Sequence, residues 1–303
     1  MNIKKVCSRI VISLTMILLA FNGATKNCSA EGIFQVSPMK QRITLTPGER
    51  YYGTFKITDP ATSLYKFYYK TSISPFFVDD DFNVKFENNG DYNQIVDWIT
   101  VENPTGIVEP NSTEIVKFYI DVPEDAPAGG QYATIKVESD NSASAEDGLN
   151  IQQTFAIGHT ILAEVAGETN RGGIFDEIKV PGFMFNGNIK GTATITNTGN
   201  IHSDATFILR IFPLFSKEEI YTNEEDPTVS VILPGVSRSN VSEWKDTPKI
   251  GIFHVIYTAE FEGMTKAIDR HVIICPIWLL VIILAIIFLI LFKILFTGKK
   301  EKK

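Results

Sequence analysis

Alternation of apolar and polar residues with a period of two dominates the middle of the chain. The clearest example lies at residues 252–262, where the apolar positions are Phe253, Val255, Tyr257, Ala259 and Phe261. Residues 115–123 and 132–137 show the same pattern. A period of two is typical of half-buried β-strands, whose successive side chains point to opposite faces of a sheet. Between residues 31 and 271 no stretch sustains the 3.6-residue period of an amphipathic helix.

Turn-forming residues separate these alternating runs, among them Pro47-Gly48, Gly129-Gly130 and Pro234-Gly235. Short strands with frequent turns indicate antiparallel β-sandwiches. A polar, glycine-rich stretch at 167–173 divides the region into residues 31–167 and residues 168–271, each of a size that suits one sandwich. The sequence therefore predicts an all-β chain with two antiparallel Ig-like β-sandwiches.

The first 30 residues have the three parts of a secretory signal peptide. Residues 1–9 carry Lys4, Lys5 and Arg9, residues 10–21 are uncharged, and Cys28-Ser29-Ala30 places small residues before a cleavage point. A basic segment, a short apolar segment and a small-residue site together mark export. We expect residues 1–30 to be removed after Ala30.

A second apolar segment lies near the other end of the chain. Residues 272–292 contain no charged side chain, and five lysines follow in the tail 293–303. A helix of 21 residues is about 31 Å long, close to the hydrocarbon thickness of a bilayer. Basic flanks stay on the cytoplasmic side. These features predict one C-terminal transmembrane helix at 272–292, an extracellular ectodomain, a cytoplasmic tail, and a single-pass protein of the cell membrane.

Charge is unevenly distributed along the chain, which has a formal net charge of −7 and a mean hydropathy of +0.05. Residues 31–271 hold 19 basic and 34 acidic side chains, a net charge of −15. An acidic balance argues against a nucleic-acid partner, which requires a basic face. The same region contains no cysteine, which excludes a disulfide-rich module and favours a bacterial surface protein.

Catalytic motifs are not convincing in this sequence. Ser37 with Lys40, and Ser63 with Lys66, match the S-x-x-K spacing, but both pairs lie in strand-like segments without the companion motifs of that mechanism. The four histidines are widely separated. We therefore predict that the protein is not an enzyme and has no catalytic residues.

Metal-binding motifs are also weak. The acidic runs at 79–81 and 224–226 could bind calcium on loops, but neither has the spacing or the glycine of an EF-hand. We interpret both as solvated turns. The sequence predicts no metal site and no other cofactor.

Aromatic residues are concentrated in the first predicted sandwich. Alternation sends Tyr65, Phe67 and Tyr69 to one face and Tyr68 to the other. One set builds the core, and the other forms either an exposed contact patch or cross-strand pairs, of which we favour the pairs. Trp244 lies in a polar segment, SEWKD. Tyr68 and Trp244 are the candidate binding residues, although the sequence does not identify a binding face.

The layout of strand and turn motifs resembles a known family. In the first region these are residues 34–38, VEPNS at 108–112 and the strand pair at 116–137; in the second they are TATITNTGNIH at 192–202 and ILPGVSR at 232–238. This layout is similar to the WxL-interacting proteins of Gram-positive bacteria. The resemblance implies a peptidoglycan-binding N-terminal module followed by a membrane-proximal Ig-like module.

Topology and resemblance together favour binding over catalysis. The leading hypothesis is a membrane-anchored cell-surface protein that presents two sandwiches to cell-wall peptidoglycan or to other surface proteins. The alternative is a structural or accessory subunit of a membrane protein complex, assembled through its transmembrane helix and membrane-proximal domain. An enzyme with an unrecognised site is the third class.

Overall fold

A computed structural model describes residues 34–59, 66–79, 84–87, 90–139 and 155–297, with side chains as far as Lys293. The predicted signal peptide at 1–30 and the end of the tail lie outside the described residues. So do Tyr65 and most of the acidic run at 79–81.

The first domain is a β-sandwich. Its strands are β1 (Gln35–Ser37), β2 (Lys40–Leu45), β3 (Arg50–Thr58), β4 (Phe67–Pro75), β5 (Phe77–Val78), β6 (Val84–Lys85), β7 (Ile99–Val101), β8 (Thr105–Val108), β9 (Thr113–Asp121), β10 (Gly129–Ser139) and β11 (Ala156–Val165). One sheet has the order β1-β3-β9-β7 and the other β2-β11-β10-β4-β8, while β5 and β6 pair separately. A 3₁₀ helix spans Gly90–Asp97.

The second domain is also a sandwich. Its strands are β12 (Gly173–Lys179), β13 (Phe183–Met184), β14 (Ile189–Asn197), β15 (Ser203–Pro213), β16 (Tyr221–Thr222), β17 (Thr228–Ile232), β18 (Ser237–Trp244), β19 (Gly251–Phe261) and β20 (Met264–Ile274). One sheet has the order β12-β14-β18. The other has the order β13-β20-β19-β15-β16, and β17 also pairs with β15. The predicted all-β sandwich architecture is confirmed.

Two strand pairs depart from the predicted antiparallel pattern. Strand β2 runs parallel to β11, and β13 runs parallel to β20. The first pair arises because the chain leaves one sheet after β1 and enters the other at β2. This crossing places β2 at the edge of its sheet, beside the last strand of the domain.

Alternation explains the two cores. In β19 the residues Phe253, Val255, Tyr257, Ala259 and Phe261 are all buried, as their spacing predicts. The apolar cluster around them extends into the first domain, since it includes Tyr132 and Leu162. The two sandwiches therefore share packed surface instead of being joined by the linker alone.

The C-terminal apolar segment is divided between two elements. Residues 272–274 belong to β20, where Val272 and Ile274 are buried, and helix α1 spans Ile277–Thr297. Most of the described α1 side chains are exposed. The uncharged part of α1, residues 277–292, is about 24 Å long, shorter than the roughly 30 Å of bilayer hydrocarbon.

Among the described residues, no helix combines the length and the apolarity needed to cross a membrane. This finding contradicts the transmembrane helix predicted at 272–292. It also contradicts the single-pass localisation with an extracellular ectodomain and a cytoplasmic tail. The predicted bounds also differ from the structure, since residues 272–274 belong to β20 and the helix begins at Ile277, so that only residues 277–292 of the uncharged run are helical.

Candidate functional site

A polar cleft of about 440 Å³ lies where the two sandwiches meet. The first domain contributes side chains from β2 and β11 to its walls. The second domain contributes the start of β15 and the turn between β19 and β20, and the linker contributes Arg171. We treat this interdomain cleft as the candidate functional site because both domains build it.

Arg42 and Asp204 form an ion pair across the cleft. Nη1 of Arg42 donates to Oδ2 of Asp204 at 2.7 Å, and Nη2 donates to Oδ1 at 2.5 Å. Hydrogen bonding from Arg42 lowers the pKa of Asp204, and the same contact raises the pKa of Arg42. Both side chains remain partly exposed, at 46% and 39%. This two-point geometry fixes orientation as well as distance.

Arg171 lies more loosely between two carboxylates. Its Nη2 is 3.3 Å from Oε1 of Glu164 in β11, and its Nη1 is 3.4 Å from Oε1 of Glu262. Glu262 and Gly263 form the two-residue turn between β19 and β20, with φ values of 48° and 73°. Positive φ at both positions is the geometry of a type I′ hairpin turn. The hairpin tip thus carries a carboxylate from the second domain to the linker.

Asn200 connects the second domain with the first domain and with the linker. Its carbonyl accepts from Gly130 N–H at 2.7 Å, its Oδ1 accepts from Asn170 N–H at 2.7 Å, and its N–H donates to Asn170 O at 2.9 Å. Gly129 has φ +122°, and a Cβ there would lie 2.7 Å from Asn200 O. Only a glycine allows this close approach of the two backbones.

The floor of the cleft carries neutral polar groups. His202 is 8% exposed, and its Nδ1 lies 3.5 Å from the Tyr132 hydroxyl. Burial, reinforced by the positive charge of Arg42, lowers the pKa of His202 to about 4. The imidazole is therefore neutral at pH 7. Beside it, Ser203 is 5% exposed, and its hydroxyl has no hydrogen-bond partner.

Strand β2 forms one wall of the cleft and has an open edge. It pairs with β11 on one side, and no strand of the described residues pairs with its other side. Arg42, Ile43 and Thr44 of β2 all line the cleft. An edge strand presents unpaired N–H and C=O groups to anything that approaches it.

The two candidate binding residues from the sequence lie away from this cleft. Trp244 is 8% exposed and packs between Tyr221 and Phe253, with ring centroids 5.9 and 5.7 Å away. Tyr68 is half-buried in β4, opposite Ile107 of β8. The binding role of both residues stays a prediction.

The remaining sequence candidates are dispersed. Ser37 ends β1, Lys40 begins β2, and Asp79 pairs with Lys85. Within the described ranges, no group of three or more His, Cys, Asp and Glu side chains is placed to hold a metal ion.

Sequence reasoning missed the residues that build the cleft. Arg42 and Asp204 are 162 positions apart, so no local motif connects them. One available signal was Arg171, the one basic residue in the glycine-rich linker at 167–173. The turn at 197–200 was recognisable, but its contact with the first domain was not.

Comparisons with known proteins find structural likeness only. No family model matches the chain, and no curated protein matches it. The CfaA chaperone of class 5 fimbriae is 12% identical over 79% of this chain and 99% of its own, with a TM-score of 0.38. The Escherichia coli chaperone DraB is 12% identical over 78% and 96%, with a TM-score of 0.36. The Pseudomonas aeruginosa chaperone CupB2 is 11% identical over 76% and 97%, with a TM-score of 0.35.

Likeness at this level does not bear on what the chain binds. The resemblance to the WxL-interacting family is wrong, since no family model matches the chain and several of its structural neighbours are fimbrial chaperones. The hypotheses of a membrane-anchored cell-wall binder with a peptidoglycan partner, and of a subunit assembled through a transmembrane helix, are corrected with it. The resemblance rested on turns such as Pro234-Gly235, which many Ig-like sandwiches use for backbone reasons.

Proposed function

We propose that the chain is a non-enzymatic module that binds a segment of a partner protein in its interdomain cleft. The observation that carries this proposal is the construction of the cleft. Its walls come from both sandwiches, and the Arg42–Asp204 pair and the Asn200 contacts hold those walls in one arrangement. Pre-organised recognition surfaces bind with less loss of conformational entropy than mobile ones.

The chemistry of the cleft supports binding over catalysis. Ser203 and His202 are the nucleophile and base types present on its floor, yet the Ser203 hydroxyl makes no hydrogen bond. A nucleophile is activated by a base within hydrogen-bond reach. The low pKa of His202, about 4, also makes it a weak proton acceptor at neutral pH.

Site-specific photo-crosslinking tests the proposal. A benzophenone side chain at Thr44, in the cleft wall, would be activated on the full chain in the presence of exported and surface proteins of the source cell. The control places the same group at Thr113, an exposed threonine at the start of β9 that does not line the cleft. We expect a discrete crosslinked protein from Thr44 that is weakened by Arg42→Ala. Equal crosslinking from both positions, or none from Thr44, would refute the proposal.

A further inference from the structure

Strand β2 has an open backbone edge whose polar groups can be assigned residue by residue. Thr160 N–H donates to Met39 O at 2.8 Å, and Ala166 N–H donates to Leu45 O at 2.8 Å. In a parallel pair the N–H and C=O of one residue point to the same side, and successive residues alternate. Positions 39, 41, 43 and 45 therefore face β11. Arg42 and Thr44 direct their backbone groups to the open side.

The cleft borders β2 along Arg42, Ile43 and Thr44, which all line it. Arg42 and Thr44 are exposed, and Ile43 between them is half-buried. An extended segment lying along this edge would form main-chain hydrogen bonds with β2, which is how partner strands add to sheet edges.

The charge of the cleft selects the kind of segment. Two guanidinium groups, Arg42 and Arg171, face three carboxylates, Asp204, Glu164 and Glu262. The negative charge of Asp204 is neutralised by Arg42 at short distance, whereas Arg171 contacts two glutamates at 3.3 and 3.4 Å. Charge-assisted contacts are normally shorter, about 2.7–2.9 Å. Among the residues that line the cleft, one negative charge therefore remains, on the Glu164–Glu262 side, in a region whose net charge is −15.

We propose that the partner segment is an extended strand that pairs with the open edge of β2 and carries a basic side chain onto Glu164 and Glu262. This inference rests on the proposed function of the cleft. It adds two details to that function. The mode of recognition is strand addition, and the bound segment is positively charged. A lysine or arginine would supply the positive charge that Arg171 alone does not.

Peptide titration of the full ¹⁵N-labelled chain tests the inference. The probes are acetylated octapeptides of alternating threonine and valine with one central lysine, glutamine or glutamate. The readout is the chemical shift of the Arg42 and Thr44 amides at millimolar peptide, and of the Arg42 amide alone in a chain with proline at position 44. We expect saturable shifts, with the lysine peptide binding about fivefold tighter than the glutamate peptide at low salt. The preference should shrink in 0.5 M salt.

Two sets of variants separate the parts of the inference. Thr44→Pro removes one outward N–H while leaving the β11 ladder intact, so it should abolish binding of every peptide; Thr44→Val keeps the N–H and should bind. Glu164→Gln with Glu262→Gln should remove the charge preference only. Spectra of the free variants check that the sandwich is folded.

The outcomes distinguish this inference from the proposed function. Equal affinity for the lysine and glutamate peptides would overturn the inference that the bound segment is basic. Unchanged binding in Thr44→Pro overturns strand addition. If no peptide shifts Thr44 while a partner protein still crosslinks there, the cleft binds protein by another mode and this inference fails alone. If the crosslink is absent as well, both proposals fail.

Discussion

Arg42 of the first sandwich and Asp204 of the second form a two-point ion pair between positions 162 residues apart, at 2.5 and 2.7 Å. The two side chains are 46% and 39% exposed to solvent. Exposed ion pairs add little stability because solvent screens them. The pair therefore acts mainly on domain orientation, and through it on the shape of the cleft.

Removing this pair should widen the range of distances between the two domains while lowering the free energy of unfolding only slightly. We expect a double-mutant cycle of Arg42→Ala and Asp204→Ala to give a coupling energy of about 0.5–1 kcal/mol. The distance distribution between spin labels placed in the two domains should broaden at the same time. Chemical denaturation measures the first quantity and pulsed electron spin resonance the second.

Arg50 and Asp121 provide a matched control. They form a two-point pair at 2.5 and 2.8 Å with similar exposure, but both lie in the first domain. Arg50→Ala should leave the interdomain distances unchanged. Equal broadening in Arg42→Ala and Arg50→Ala would contradict the role assigned to Arg42.

Gly129 should tolerate a methyl group poorly because of its neighbour. Its φ is +122°, and a Cβ would lie 2.7 Å from Asn200 O, a backbone atom that cannot turn aside. We expect Gly129→Ala to cost about 2–3 kcal/mol of unfolding free energy. Gly235→Ala is the comparison, since its φ is +72° and nothing lies within 4 Å of the added Cβ. It should cost about 1 kcal/mol. Similar losses in urea denaturation would show that the Asn200 contact is unimportant.

Local patterns were enough for the strands. The alternation at residues 252–262 predicts both the strand β19 and its buried face, because a half-buried strand requires that pattern. The Asn197–Asn200 turn is likewise local, since Asn197 Oδ1 accepts from Gly199 N–H at 2.9 Å. Neither pattern contains information about which domain surface the turn meets.

The sequence predictions that were wrong or incomplete depend on long-range contacts or on ambiguous patterns. A continuous apolar run is compatible with a helix or a buried strand, so the division after Ile274 was not visible in the sequence. The cleft depends on Arg42 and Asp204 meeting across a domain interface, which no spacing encodes. Edge position of β2 follows from its parallel pairing with β11, another long-range choice.

Acid should destabilise the protein through its buried histidines. The pKa of His202 is lowered to about 4 by burial and Arg42, and burial also lowers the pKa of His159. A depressed histidine pKa means that the folded state favours the neutral ring. The contribution of each histidine to the free energy of unfolding is therefore present above pH 6.5 and is lost as the pH falls. For His202 the loss between pH 6.5 and about 4 is about 2–3 kcal/mol.

His202→Gln isolates that contribution. Glutamine cannot take up a proton, so the variant should lose part of the slope of unfolding free energy between pH 6.5 and 4. The remaining slope is expected from His159, whose Nδ1–H donates to Pro38 O at 2.6 Å and whose Nε2 has no partner. An unchanged slope would show that His202 does not titrate in this range.

Trp244 allows packing and binding to be separated in one experiment. The ring is 8% exposed and packs against Tyr221 and Phe253, so Trp244→Ala should cost about 3–5 kcal/mol by leaving a cavity. Val241 in the same strand is 51% exposed, and Val241→Ala should cost less than about 0.5 kcal/mol. Trp244→Phe keeps most of the packing and should leave crosslinking from Thr44 unchanged. A folded Trp244→Phe chain that no longer crosslinks would instead make Trp244 a determinant of binding, because the cleft walls themselves would be unaltered.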